Sequence, residues 1–141
     1  MAEVATKRSV SVAIMDGDQV LIVQRPADDE DLPNEWGLPA ASLREGETWE
    51  DAVKRAGEKL GVGLRVAAVL EEGSLARTNY TLQMKLFEAS VVKGEPHLQQ
   101  ISDVTQYQAW RWGSAHDLEP AAEKGSLCCR LFLSYDSRQI T

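Results

Sequence analysis

At 141 residues the chain is long enough for one domain with a substantial core, and a composition of 43% apolar and 26% charged residues is that of an ordinary globular protein. The net charge of −7 argues against binding a nucleic-acid polymer, which depends on Lys and Arg to neutralise phosphates, but leaves a small phosphate ligand open. The segment MAEVATKRSV lacks the apolar stretch of a secretory signal, no run reaches the length of a membrane span, and the only cysteines, Cys128 and Cys129, are adjacent. A soluble cytoplasmic protein without a disulfide framework is expected.

Residues 1–7 read as a frayed tail and 8–137 as a single domain. From Arg8 the chain alternates, with Val10, Val12 and Ile14 facing one way and Ser9, Ser11 and Ala13 the other, which predicts a strand with one dry face. Asp16-Gly17-Asp18 is a turn signal, and Val20-Leu21-Ile22-Val23 suits a strand buried on both faces. Residues 27–35 form an acidic loop, more simply read as solvated surface than as the mouth of a site.

The segment from Trp36 to Val62 organises the rest: a loop, an amphipathic helix and a stop. Thr48 is the expected N-cap, because its hydroxyl can accept from a free N–H of the first turn. Trp49, Ala52, Val53, Ala56 and Leu60 recur at steps of three and four and share one face, and Gly61 is a natural C-cap.

Further on, Leu64–Leu70 is an apolar run that Glu71-Glu72-Gly73-Ser74 is expected to break. Tyr80, Leu82, Met84 and Leu86 alternate in a strand reaching to Val92. Lys93-Gly94-Glu95-Pro96 turns the chain, 97–106 is a polar loop, and Gln108–Trp112 is a short strand. Ser114 and Asp117 open a short helix that Pro120 should interrupt, and Ser126 caps a last helix with Leu127, Leu131 and Tyr135 on one face. Strands around one central helix, closed by a C-terminal helix, make an α/β or α+β sandwich.

Trp36-Gly37-Leu38-Pro39, Gly46-Glu47-Thr48, Arg55 and Lys59-Leu60-Gly61-Val62 together resemble the Nudix box of the Nudix hydrolases (MutT-like). The resemblance implies an α/β/α sandwich with a mixed sheet between helices. It also implies hydrolysis of a nucleoside-diphosphate-linked or other organic diphosphate, with Mg²⁺ or Mn²⁺ held by helix carboxylates. The departures are specific. The family's paired glycines are Ala40 and Ala41, the Glu after the box arginine is Ala56, and the helix is one residue short between Arg55 and Gly61. Of the metal-holding carboxylates only Glu58 is present at most, and a deletion of one residue turns the later helix positions by about 100°.

The candidate residues come from that resemblance. Glu47, Arg55 and Glu58 are candidates for catalysis, the Ala40 carbonyl and Glu58 for the metal, and Trp36, Arg44 and Lys59 for substrate. The ordinary alternatives are a Glu58–Lys54 salt bridge, a Glu47–Arg55 contact between loop and helix, and cations that merely pair with neighbouring carboxylates. Trp49 reads as core, and Cys128 and Cys129 as half-buried rather than nucleophilic. Expected partners are a small phosphate-containing ligand, with no nucleic-acid polymer and no membrane; a homodimer stays open. Two readings stand side by side: a metal-dependent diphosphate hydrolase, or a Nudix-fold binding module for a nucleotide or protein partner, motivated by Ala56, Lys59 and the shortened helix.

Overall fold

Strand β1 (Ala5–Asp16) is the axis of the fold; the computed structural model describes residues 5–99 and 107–139. One edge of β1 pairs in parallel with β6 (Tyr80–Lys93), from Ala5↔Tyr80 to Ile14↔Ala89. Its other edge is shared. β4 (Ala40–Ser42) pairs with Ser9–Ser11 and β2 (Gln19–Gln24) with Met15–Asp16, both antiparallel. Between them the Val12 N–H donates to the Pro39 carbonyl at 2.9 Å. β3 (Trp36–Gly37) and β7 (Ala109–Gly113) flank β2, and β5 (Gly63–Ala76) closes the far edge against β6. Helix α1 (Trp49–Glu58) packs on one face, while α2 (Glu119–Glu123), α3 (Leu127–Gln139) and a 3₁₀ turn at Ala115–Leu118 cover the other. The result is the expected sandwich with a mixed sheet. Among the described residues, no helix is long and apolar enough to cross a membrane.

Two apolar layers result from this arrangement. Val10, Val12 and Ile14 meet Ala52, Val53, Ala56 and Leu60 of the α1 side; Ala13, Leu82, Met84 and Leu86 meet Leu118, Leu127, Leu131 and Phe132 on the other. Residues Ser9 to Ile14 are therefore buried on both faces, correcting the expectation of one dry face. The small side chain of Ala13 lies in the layer formed with the second set of helices, and Ser9 lines a cleft beside Ser42. Several other expectations change. Ala5–Lys7 pair with β6 although they read as part of a tail in the sequence. β5 runs on through Glu71-Glu72-Gly73, its irregularities absorbed by register shifts against β6. Pro120 lies in the first turn of α2 and starts that helix rather than interrupting one, since its missing N–H has no intrahelical partner there.

The α1 boundaries are local and chemical. The Thr48 hydroxyl accepts from the Asp51 N–H at 3.1 Å, and the Asp51 carboxylate accepts from the Thr48 N–H at 3.0 Å, a reciprocal cap. At the other end the Val62 N–H reaches the Gly57 carbonyl and the Gly61 N–H the Glu58 carbonyl, with Gly61 at φ +69°. That is a Schellman stop, which requires a residue at ease in the left-handed region. Gly57 has a separate reason. A Cβ there would lie 2.8 Å from both Leu64 Cγ and the Val62 carbonyl oxygen, so its absence lets β5 close against the helix.

Gly57→Ala should destabilise the protein by about 1–3 kcal/mol through overpacking, outweighing the roughly 1 kcal/mol gain in helix propensity. Chemical denaturation of the two proteins checks this; an equal or higher midpoint for the variant would contradict the packing argument.

Candidate functional site

The loop entering α1 is held by one arginine. Gly46 turns the chain at φ +82°, and the Arg44 N–H donates to Glu47 Oε1 at 2.7 Å. From the second turn of α1, Arg55 reaches back with Nε on Glu47 Oε2 and Nη2 on Glu47 Oε1, both at 2.7 Å. The same Nη2 also donates to the Ser42 carbonyl at the end of β4. The ion pair is mostly shielded, with side-chain exposures of 16% and 17%. The Arg55 hydrogen bonds, helped by the Arg44 N–H, pull the Glu47 carboxyl from its ordinary 4.5 down to about 2, against a desolvation that opposes them. The contact between Glu47 and Arg55 forms as the ordinary alternative expected. Of the candidate Arg44, it is the backbone that takes part.

The next position in the box is Lys59, just after α1. Its Nζ donates to the Ala40 carbonyl at 2.8 Å and lies 5.5 Å from the centroid of the Tyr107 ring. The Tyr107 hydroxyl accepts from the Ala40 N–H at 3.2 Å, so β4 is gripped at both its donor and its acceptor. Burial, followed by the charges of Arg55 and Arg25, lowers the Lys59 ammonium to about 8, and burial raises the Tyr107 phenol to about 12. The carbonyl that the family resemblance assigned to a metal thus accepts from a protein cation.

Glu58 is exposed, and its carboxylate enters none of the described ion pairs or side-chain hydrogen bonds; the expected bridge to Lys54 is not formed. Its backbone carbonyl instead accepts from Gly61 N–H and Gln99 Nε2. Among the described residues no three His, Cys, Asp or Glu side chains converge where they could hold a metal ion. A hard divalent cation needs several oxygen ligands, and the box presents one carboxylate beside an ammonium. The donor set at the box does not fit such an ion. Lys59, four residues after Arg55 where the box has a glutamate, stands over Ala40 in place of a carboxylate.

A cleft of about 620 Å³ opens beside this point. Lys59, Ala40 and Tyr107 line it with Arg25, Trp36 and Cys128, and Lys7, Arg77 and Tyr80 line it as well. The acidic loop also lines the cleft, through Asp28 to Asp31 and Glu35, which corrects its reading as mere solvated surface. Two of its carboxylates are engaged: Asp29 by Arg25 at 3.2 Å and Glu35 by Lys124. Trp36 has the Arg111 guanidinium 4.7 Å from its ring centroid, and Asp117 anchors Arg111 at 3.1 Å. Trp110 and Trp112 lie edge to face, 6.3 Å apart, and pack on the α1-side core rather than in the cleft. Trp49 is half-buried at the rim of that core, with Lys85 4.5 Å from its ring centroid. Asp103, an acidic residue that could supply a late ligand or a general base, lies outside the described residues. Tyr107 was missing from the site expectations; it is 67 residues from Ala40 in sequence, too far for any local pattern to indicate.

Because the folded Glu47 pKa is depressed, its pair with Arg55 stabilises the protein above pH 4.5 and loses that contribution as pH falls through about 2. Wild-type stability should therefore decline more steeply between these values than that of Glu47→Gln, as followed by thermal unfolding across pH. Parallel curves would contradict the assignment.

Residues 5–127 match the family model of the NUDIX domain. The chain is similar in structure to the MutT protein from Methanosarcina mazei Go1, with a TM-score of 0.78, 16% identity and all of both chains covered. It is also similar to the MutT NUDIX hydrolase from Burkholderia pseudomallei, with a TM-score of 0.68 and 23% identity over 86% of this chain and 98% of that one. A UDP-X diphosphatase aligns with a TM-score of 0.63 and 13% identity, over 82% of this chain and 54% of the other. No curated protein sequence matches the chain. The fold, the box-like loop and helix, and a family match spanning nearly the whole chain agree: the protein belongs to the Nudix family.

Proposed function

We propose that the cleft binds the diphosphate group of a small organic diphosphate, with Lys59 as its fixed cation. The observation that carries this reading is the Lys59 ammonium, held 2.8 Å from the Ala40 carbonyl on the wall of the cleft. An ammonium has three donors, and this contact uses one, so others remain for phosphate oxygens. Arg25 lies on the same cleft, and Trp36 and Tyr80 offer aromatic surface to the organic part. Bound in this way, the ligand needs no metal at the box.

Calorimetry with inorganic pyrophosphate and with a nucleoside diphosphate sugar tests the reading. Binding should persist in EDTA. It should weaken roughly tenfold or more in Lys59→Ala, the loss of a charged hydrogen bond of about 1.5–3 kcal/mol. It should also weaken in the wild type as pH rises through about 8, where Lys59 loses its proton. Binding that requires Mg²⁺ and ignores Lys59 would overturn it.

Hydrolysis of such a diphosphate is the second reading. Family membership and the exposed Glu58 carboxylate, which enters no ion pair among the described residues, favour it. Assaying phosphate release from a panel of nucleoside diphosphate compounds with Mg²⁺ or Mn²⁺, beside Glu58→Ala, separates the two. Turnover lost in the variant supports hydrolysis, and no turnover of any compound leaves binding as the function.

A further inference from the structure

We propose that the cleft has a second phosphate site at its far end, formed by Lys7 and Arg77 beside Tyr80, and so takes a ligand with a phosphate group at each end. The proposal rests on the diphosphate reading for the near end, where Lys59 and Arg25 stand. The sheet dictates the arrangement. Lys7 and Ser9 are two residues apart on β1, and Tyr80, Leu82 and Met84 alternate on β6, so all five share the face that α2 and α3 cover. The register sets Lys7 opposite Leu82 and Ser9 opposite Met84, and all five residues line the cleft.

The same register measures the separation of the two ends. Ser11 pairs with Ala40, whose carbonyl accepts from Lys59. Lys7 precedes Ser11 by four residues on one strand, which at a rise of about 3.3 Å per residue places it about 13 Å from the level of Ala40. Its ammonium lies 5.6 Å from the centroid of the Tyr80 ring, and Tyr80 pairs with Ala5, further still from Ala40. Arg77 comes from the turn between β5 and β6, where its N–H donates to the Tyr80 carbonyl at 2.8 Å. A pyrophosphate held at Lys59 is too short to reach this group.

Charge is segregated along the cleft. Its carboxylates, Asp28 to Asp31 and Glu35, all come from the loop between β2 and β3, whereas β1, β6 and the turn before β6 contribute Lys7 and Arg77 and no acid. Among the described residues neither Lys7 nor Arg77 enters an ion pair. Two such cations match the charge of a phosphate monoester, about −2 at neutral pH, and a guanidinium fork meets two phosphate oxygens at once. Between the two ends the floor is Leu82 and Met84, with Ala121 and Leu127 from the helices packed on that face. The middle of the ligand is therefore uncharged, and apolar or aromatic where it meets the Tyr80 ring.

Calorimetry with linear alkane bisphosphonates, used as rulers beside pyrophosphate and dodecylphosphonate, tests the span. Physiological ionic strength is chosen so that exposed charges about 13 Å apart are largely screened from one another. Dodecane bisphosphonate should bind about tenfold tighter than dodecylphosphonate, which has the same chain and one phosphonate, and than butane bisphosphonate, which is too short to reach both ends. That advantage should disappear in the double variant Lys7→Gln, Arg77→Gln, with pyrophosphate binding unchanged. No gain from the second phosphonate, an equal gain with the butane compound, a gain kept by the double variant, or equal weakening of pyrophosphate in that variant would overturn the proposal. Failure of the diphosphate reading looks different: Lys59→Ala would then leave pyrophosphate binding intact, and the comparison of the two dodecane compounds would still decide the far site.

Discussion

The Arg55 guanidinium sets the relation between loop and helix on which the cleft depends. It spans the Glu47 carboxylate and the Ser42 carbonyl, and so binds three chain segments, β4, the Gly46 turn and α1, into one unit. A planar fork suits this task because it meets both carboxylate oxygens and still has a donor directed at a backbone oxygen. Once β4 is fixed against α1, the Ala40 carbonyl is held where the first residue after α1 can reach it. The identity of that residue then determines what kind of site forms.

In this chain it is a lysine. A box that gathers carboxylates makes a negative pocket that becomes useful when it captures a positive ion. Here the positive charge is covalently part of the chain, partly desolvated and flanked by Arg55 and Arg25, whose repulsion lowers its proton affinity further. The Ala40 carbonyl and the Tyr107 ring face compensate it. The polarity of the site is thereby inverted while the surrounding architecture of loop, helix and sheet is kept. The acidic loop on the same cleft balances some of this charge, with Asp29 tied to Arg25.

Local signals in the sequence were readable where the physics is local. The Thr48 cap, the apolar stripe of α1 and the Gly61 stop all lie within a few residues of their partners, and each appears in the structure as expected. The two-residue turn after β1 and the doubly buried β2 were equally legible. What failed depended on distant partners. Glu71-Glu72-Gly73 looked like a break, but pairing with β6 carries β5 through it, and Gly73 leaves room for Leu131 of α3. Ser9 and Ser11 looked solvent-facing because nothing nearby reveals a second helical layer. The family resemblance brought Ala40 and Lys59 together as names in a motif, but the contact between them and the insertion of Tyr107 arise only when β4, α1 and the chain before β7 converge.

The parallel pairing of β1 with β6 also bears on how the chain reaches this state. Ala5 lies opposite Tyr80, so the central ladder joins segments separated by most of the domain, with α1 and β5 in the intervening connection. Closing so long a loop sacrifices chain entropy before the ladder's contacts can repay it, and sheets of this kind assemble slowly compared with helical bundles. The β5–β6 hairpin, by contrast, closes over a three-residue turn and can form early. Until β1 docks, that hairpin exposes the strand edge β1 will occupy, and the newly made chain depends on its own N-terminal strand to cover it.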